Sequence, residues 1–456
     1  MSPSSRRSLL VASTLAGLLA GPGMALPAKG ASDHGLGDGS ASNNPDLLRQ
    51  GYEAAPTAYP ETYEVLQCGG CGEVVYVPRP GFNPAQREPH DPYFDIDWNL
   101  SLRGAYVHTT SGERFEALLL PSVALTHTGN RSALNFAASA ELVKPITSGE
   151  LRVAALRSSG GFDYALDQLT LLSATAALDL TQGPPDEPLD LGNPDTVIAA
   201  PLALSGAVEA ALSRRFGRFD LALRGSLGRT VYGPTTYAAP PVTDNSDQNF
   251  TETGAGLRIG FEATPMLTIF ADGSVSRDWF DGPSSALLVS SDATTYAGKL
   301  GVSGQWNQVF EAEASVGFAL RRFDAARLGE VTATLYDASL TFTPDEAWAF
   351  RAAFATSIAP PGPEGSGTAR IDYEATAEAS YRINAWLKLR ASANWRAAEL
   401  VGSTDSETGY GFGLGAEYQL NEHTALTADY GFSHAEITPD PAEDAHRVTL
   451  GVTFKR

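Results

Sequence analysis

Cysteine and methionine are nearly missing: two of the first and three of the second in 456 residues. Both cysteines stand in one short stretch, Cys68-Gly69-Gly70-Cys71. A zinc site there would need two further ligands, and only His90 lies within reach along the chain. A thiol-redox enzyme would need a thioredoxin-like βαβ frame, whereas Gly, Ser, Pro, Asn and Asp dominate the surroundings. The favoured reading is an intramolecular disulfide closing a Gly-Gly hairpin, with the redox and metal readings behind it.

Long apolar runs are missing too. Past the N-terminus nothing approaches the roughly 18 consecutive apolar residues of a membrane-spanning helix. Basic residues are scarce, 32 Lys and Arg against 53 Asp and Glu, for a formal charge of −21. That field disfavours nucleic acid and anionic lipid as principal partners. Cofactor signatures are absent as well. The glycines of "GYGFGLGAE" recur at period two and do not open a helix onto a phosphate. "DIDWN" has Leu100 where a calcium loop needs glycine. No cofactor and no metal are expected.

The first 25 residues are expected to be an export signal, with Arg6 and Arg7 ahead of an apolar core and Gly23-Met24-Ala25 as cleavage site. Residues 26–92 read as a flexible periplasmic leader, low in core-forming residues apart from the Cys68–Cys71 hairpin.

Residues 93–456 follow one rule throughout. In "FDIDWNLSLRG", Phe94, Ile96, Trp98, Leu100 and Leu102 alternate with Asp95, Asp97, Asn99, Ser101 and Arg103. A period of two is a strand with one apolar and one polar face. "RIDYEATAEASYR", "LKLRASANWR" and "FEAEASVGFALR" repeat the pattern. Such runs exceed the usual strand of about five or six residues. Their apolar faces have no second sheet to meet, and their polar faces carry charges suited to a wet interior.

Tight turns ("TGNRS", "EATPM", "QWNQV", "TPDEA", "RINAW", "LNEHT") alternate with longer polar loops ("GPPDEPLDLGNPDTV", "YGPTTYAAPPVTDNSDQN", "FDGPSSALLVSSD", "APPGPEGSG", "VGSTDSETG", "TPDPAEDA"). This is the asymmetry of an outer-membrane barrel, with turns in the periplasm and loops outside. The expected fold is all-β: a single transmembrane up-and-down antiparallel barrel of about 18 strands, with residues 131–182 the hardest to divide. Its partner would be outer-membrane lipid. "HRVTLGVTF" looks like a closing strand read by the barrel-assembly machinery, although Lys455 and Arg456 follow Phe454.

Strand alternation directs a mixed set of charges inward. The lumen-facing candidates are Arg103, Arg224, Arg258, Arg370, Lys388, Arg390 and Arg396, with Asp272, Glu311, Glu313, Asp372, Glu374 and Glu378. Either these pair between neighbouring strands and stiffen the wall, or they set the field seen by a passing solute. Enzymatic readings are weak. Asp95 and Asp97 read as wetted carboxylates rather than a catalytic dyad, and His108 and His434 belong to no recognisable motif. No catalytic residue is expected.

The stretches "GLRIGFEATPMLTIFADGSVSRDWF", "YAGKLGVSGQWNQVFEAEASVGFALRRFD", "YGFGLGAEYQLNEHTALTADYGFSHAE" and "HRVTLGVTF" resemble the outer-membrane β-barrel porin 2 family. Some of its members accompany exopolysaccharide secretion genes. The resemblance implies a porin-like channel in a Gram-negative outer membrane, with surface polysaccharide or its export machinery as a partner. The alternative expectation is a surface-interaction barrel with a plugged lumen.

Overall fold

The computed structural model describes residues 63–67, 74–78 and 94–456, the last apart from 111, 147–150, 184–196, 239–241, 286, 308, 363–366 and 439–441. Eighteen antiparallel strands close into one barrel. The first six are β1 (Asp95–Thr109), β2 (Glu113–Thr128), β3 (Ser132–Pro145), β4 (Arg152–Asp167), β5 (Thr170–Gln182) and β6 (Leu202–Phe216). Next come β7 (Phe219–Tyr232), β8 (Phe250–Thr264), β9 (Leu267–Phe280), β10 (Ala293–Trp306), β11 (Phe310–Phe323) and β12 (Glu330–Phe342). The last are β13 (Trp348–Ala359), β14 (Ala369–Arg382), β15 (Leu387–Val401), β16 (Ser406–Asn421), β17 (Thr424–Ile437) and β18 (Glu443–Lys455). β18 returns to β1 through pairs such as Leu450↔Gly104 and Phe454↔Leu100, so the ring leaves no open sheet edge at its closure.

Alternation builds the two faces. Phe318 is 71% exposed, Leu300 67% and Leu450 63%, on strands whose intervening residues are charged or small. Apolar exposure of this kind, repeated around the ring, is tolerable only against lipid. Aromatic side chains gather on this outer face near the tight turns. Trp348 stacks on Tyr381 at 4.2 Å, Phe219 meets Phe261 at 5.2 Å, and Trp306 meets Phe310 at 5.1 Å. This is an interfacial girdle, where amphipathic rings sit between hydrocarbon and headgroups.

Both β1 and β18 begin or end at the tight-turn rim, whose connections include 168–169, 217–218, 265–266 and 422–423. The opposite rim carries 183–201, 233–249 and 281–292. These loops are tied within and between themselves. Val197–Ala199 pairs with Thr236–Tyr237, Asn245 donates to the Gly233 carbonyl at 2.8 Å, and the Ser285 amide donates to Asp247 at 2.6 Å. Two loops expected to be long are short. "VGSTDSETG" contributes only 402–405 and "TPDPAEDA" only 438–442, because their threonines, serines and acids extend β15 to β18 instead. Residues 131–182 resolve into three strands, β3 to β5.

Ahead of the barrel, Tyr63–Gln67 pairs with Val74–Pro78 in register Gln67↔Val74. A two-residue turn at Gly69-Gly70 would instead set Gln67 against Gly72, so the hairpin is two positions out of the expected register. Cys68 and Cys71 lie outside the described residues, as does most of 1–92.

At the loop rim the wall overlaps itself. β12 and β13 pair only from Asp337↔Ala355 to Phe342↔Phe350, although β12 continues up to Glu330 and β13 to Ala359. Above that point one cluster unites Ala293, Phe323, Val331 and Ala333 with Ala369 and Ile371, and Ile358, Tyr373 and Val401 pack against it. Ala293, Phe323, Val331 and Ala333 lie on the inner face, in step with Lys299, Arg321 and Asp337. Ile358, Ala369, Ile371, Tyr373 and Val401 lie on the outer face, in step with the girdle residues Trp348 and Tyr381. Outer face therefore meets inner face: the upper ends of β13 to β15 lie inside those of β10 to β12.

Candidate functional site: the inner wall

The candidate site is the inner wall itself, and its charges are arranged by glycine. Arg224 on β7 pairs with Asp272 on β9, passing over Gly256 of the intervening β8. A Cβ at Gly256 would fall 2.6 Å from the Arg224 Nε, so only glycine lets the guanidinium lie flat. On the other side of the ring Asp429 of β17 receives Arg390 of β15 at 2.9 Å, across Gly415. The same carboxylate receives Arg103 of β1 at 3.1 Å, across Gly451 of β18. Lys299 on β10 reaches Asp337 on β12 at 2.6 Å past Gly317. These pairs join next-but-one strands, not the neighbouring strands that cross-strand pairing leads one to expect.

Arg258 goes further. It reaches from β8 to Glu313 on β11 through two hydrogen bonds of 2.9 and 2.7 Å. Its guanidinium sits 3.6 Å above the ring of Phe270, which is buried against Gly301. A two-point, charge-assisted bond over an aromatic face fixes the side chain far better than a lone lysine contact could. Arg370 pairs with Asp372 on its own strand and with Glu407 of β16 at 2.9 Å.

The strand register places the remaining sequence candidates. Glu374 stands opposite Arg396, and Glu378 opposite Arg351 and Ser392. Glu311 stands opposite Gln305 and Thr341, and is exposed. Lys388 faces Glu417, which holds Lys455 at 3.0 Å.

Three features escape the strand-by-strand reading. Glu116, deeply buried, binds Arg114 and Arg447, each at 2.7 Å. A small apolar patch of Ala105, Leu118 and Val143 lies beside it on the same face. Arg321 and Asp278 form a buried pair at 2.6 Å beneath the overlap, 2% and 5% exposed at the side chain. Asp278 carries no sequence signal beyond its parity. Asp95 and Asp97 do lie at the tight-turn start of β1. His434 Nδ1 lies 2.6 Å from Asp444, with its ring stacked on Tyr410, but this pair is on the lipid-facing side, away from the lumen.

What kind of protein builds a lipid-faced ring around a salt-bridged, polar interior? A family model described as "Putative beta-barrel porin 2" matches residues 107–456. The chain belongs to that family. Among curated proteins no sequence matches. Solved structures with a similar course include OccAB4 from Acinetobacter baumannii, at 13% identity and TM-score 0.40, covering 79% of this chain and 98% of that one. The outer membrane protein OpdK from Pseudomonas aeruginosa gives 11% identity and TM-score 0.39, over 79% and 99%. The FrpB iron transporter from Neisseria meningitidis gives 9% and 0.38, over 74% and 62%. The family and the closed barrel together make this a porin-like protein of the bacterial outer membrane.

Proposed function

We propose that the protein is a passive conduit for polar solutes across the outer membrane. The observation that carries this reading is the wall of fixed ion pairs. Arginines laid flat across glycines keep charge at the surface of the lumen without filling it, and each pair can exchange hydrogen bonds with a passing solute. Among the described residues, the strand connections at the tight-turn end are short. A surface polysaccharide leaving the periplasm is the finer proposal, resting on the family resemblance and on the hydroxyl-matching character of Arg–carboxylate walls. Purified protein in planar bilayers should conduct, and long neutral oligosaccharides added on the turn side should block that current reversibly. A silent bilayer with correctly folded protein would sink the proposal.

The overlap at the loop rim favours a second reading, a surface barrel with a closed lumen whose loops do the work. There the outer face of β13 to β15 packs on the inner face of β10 to β12, which narrows the lumen at that rim. The Cys68–Cys71 staple is proposed to act only on the leader, so Cys68→Ser should leave the barrel's thermal stability unchanged.

A further inference from the structure

The overlap has the makings of a two-state element. Its closed form covers Phe323, Val331, Ala333 and Leu335, apolar residues on an inner face that carries Asp337 one step below. That coverage comes with polar losses. Above Asp337↔Ala355 the β12–β13 ladder is unmade. Arg321 Nε and Nη2, and the Thr356 hydroxyl, are buried with no hydrogen-bond partner. Each such group is destabilising, and a charged one most of all. Of the outer-face residues, Ile358, Ile371, Tyr373 and Val401 are apolar, so lipid would accept them if the segment moved outward. Glu399, opposite Ile371, would have to reach the headgroups. Apolar burial against an unmade ladder and two unsatisfied nitrogens of Arg321 is the balance of a bistable element, not of a fixed wall.

We propose that the upper ends of β13 to β15 form a gate. In the closed state they lie inside β10 to β12. In the open state β13 re-joins β12, continuing the register so that Leu335 pairs with Ser357, and the segment returns to the lipid-facing wall. This rests on the conduit reading for its purpose, but its motion is testable without it.

Two cysteine pairs in a Cys68→Ser/Cys71→Ser background separate the states. Val331→Cys with Ile371→Cys joins two members of the closed cluster. Leu335→Cys with Ser357→Cys joins partners that exist only when the ladder is complete. Both pairs should cross-link in membrane-embedded protein under mild oxidant, because both states are visited. Oxidising the first pair should drop single-channel conductance to baseline, and reductant should restore it. Oxidising the second should raise conductance several-fold above the parent. Failure of either cross-link to form, or a measurable current that persists unchanged once the first has formed, overturns the gate. Formation of both cross-links with no current in any state would keep the gate and overturn the conduit.

Discussion

Two parts of the same wall solve the inner face in opposite ways. Along β15 to β18 and into β1, inner positions alternate long cations with glycine, and Asp429 gathers Arg103 and Arg390. At the upper ends of β11 and β12, inner positions are Phe323, Val331, Ala333 and Leu335, and they are covered by another part of the barrel. In the first region the charges are tied to one another along the wall, the Arg103 and Asp429 side chains being 9% and 2% exposed. The second cannot face water, so the wall folds over it. From β15 round to β1 the ladders run unbroken; at the overlap the ladder between β12 and β13 is given up.

The sharpest way to break this contrast is to make the second region resemble the first. Val331→Asp would bury an unpaired carboxylate in the overlap, at a cost of about 3–5 kcal/mol to the closed arrangement. Conductance in planar bilayers should rise, and proteolysis from the loop side should find new cleavage near the rim. The converse change is to untie the first region. Asp429→Ala leaves two arginines without their shared carboxylate, and should lower unfolding free energy in urea by about 3 kcal/mol while shifting ion selectivity toward anions.

A subtler change leaves every charge in place. Gly415→Val puts a side chain between Arg390 and Asp429, where a Cβ would already stand 3.3 Å from the Arg390 Nε. Displacing the guanidinium into the lumen should cost about 1–3 kcal/mol of stability and reduce single-channel conductance. The smallest effect belongs to the loop rim. A hydrogen bond from Arg229 holds the Asp281 carboxyl below its ordinary range. Its contribution is present above the unfolded carboxylate pKa, about 3.9, and is lost as pH falls through the lower folded value. Being exposed, the pair should order loop 281–292 only slightly, a change for amide exchange between pH 5 and pH 2 to detect.

The barrel was legible because each strand carries its own evidence: a period of two needs no partner to be read. The turn and loop asymmetry was legible for the same reason, except at "VGSTDSETG" and "TPDPAEDA", where β-prone threonines and acids let the strands run on. The ion pairs were only half legible. Parity put Arg224, Arg258, Asp272 and Glu313 on one face, but their partners lie two or three strands away, and the enabling residue is a glycine on a strand between. The overlap left a trace in "EVTATLYD". Val331, Ala333 and Leu335 share parity with Asp337, while Thr332 and Thr334 face outward, an inversion of the pattern elsewhere. Three residues of inverted pattern are too few to tell from an ordinary irregularity without the register beside them.

The most direct test of the account is the current–voltage relation of the purified protein in a planar bilayer, compared before and after Val331→Asp. A low-conductance parent, and a variant with larger steps and a reversal potential set by the charged wall, are the predicted pair. Equal, ungated steps from both proteins would contradict the claim that an apolar overlap closes a charged conduit.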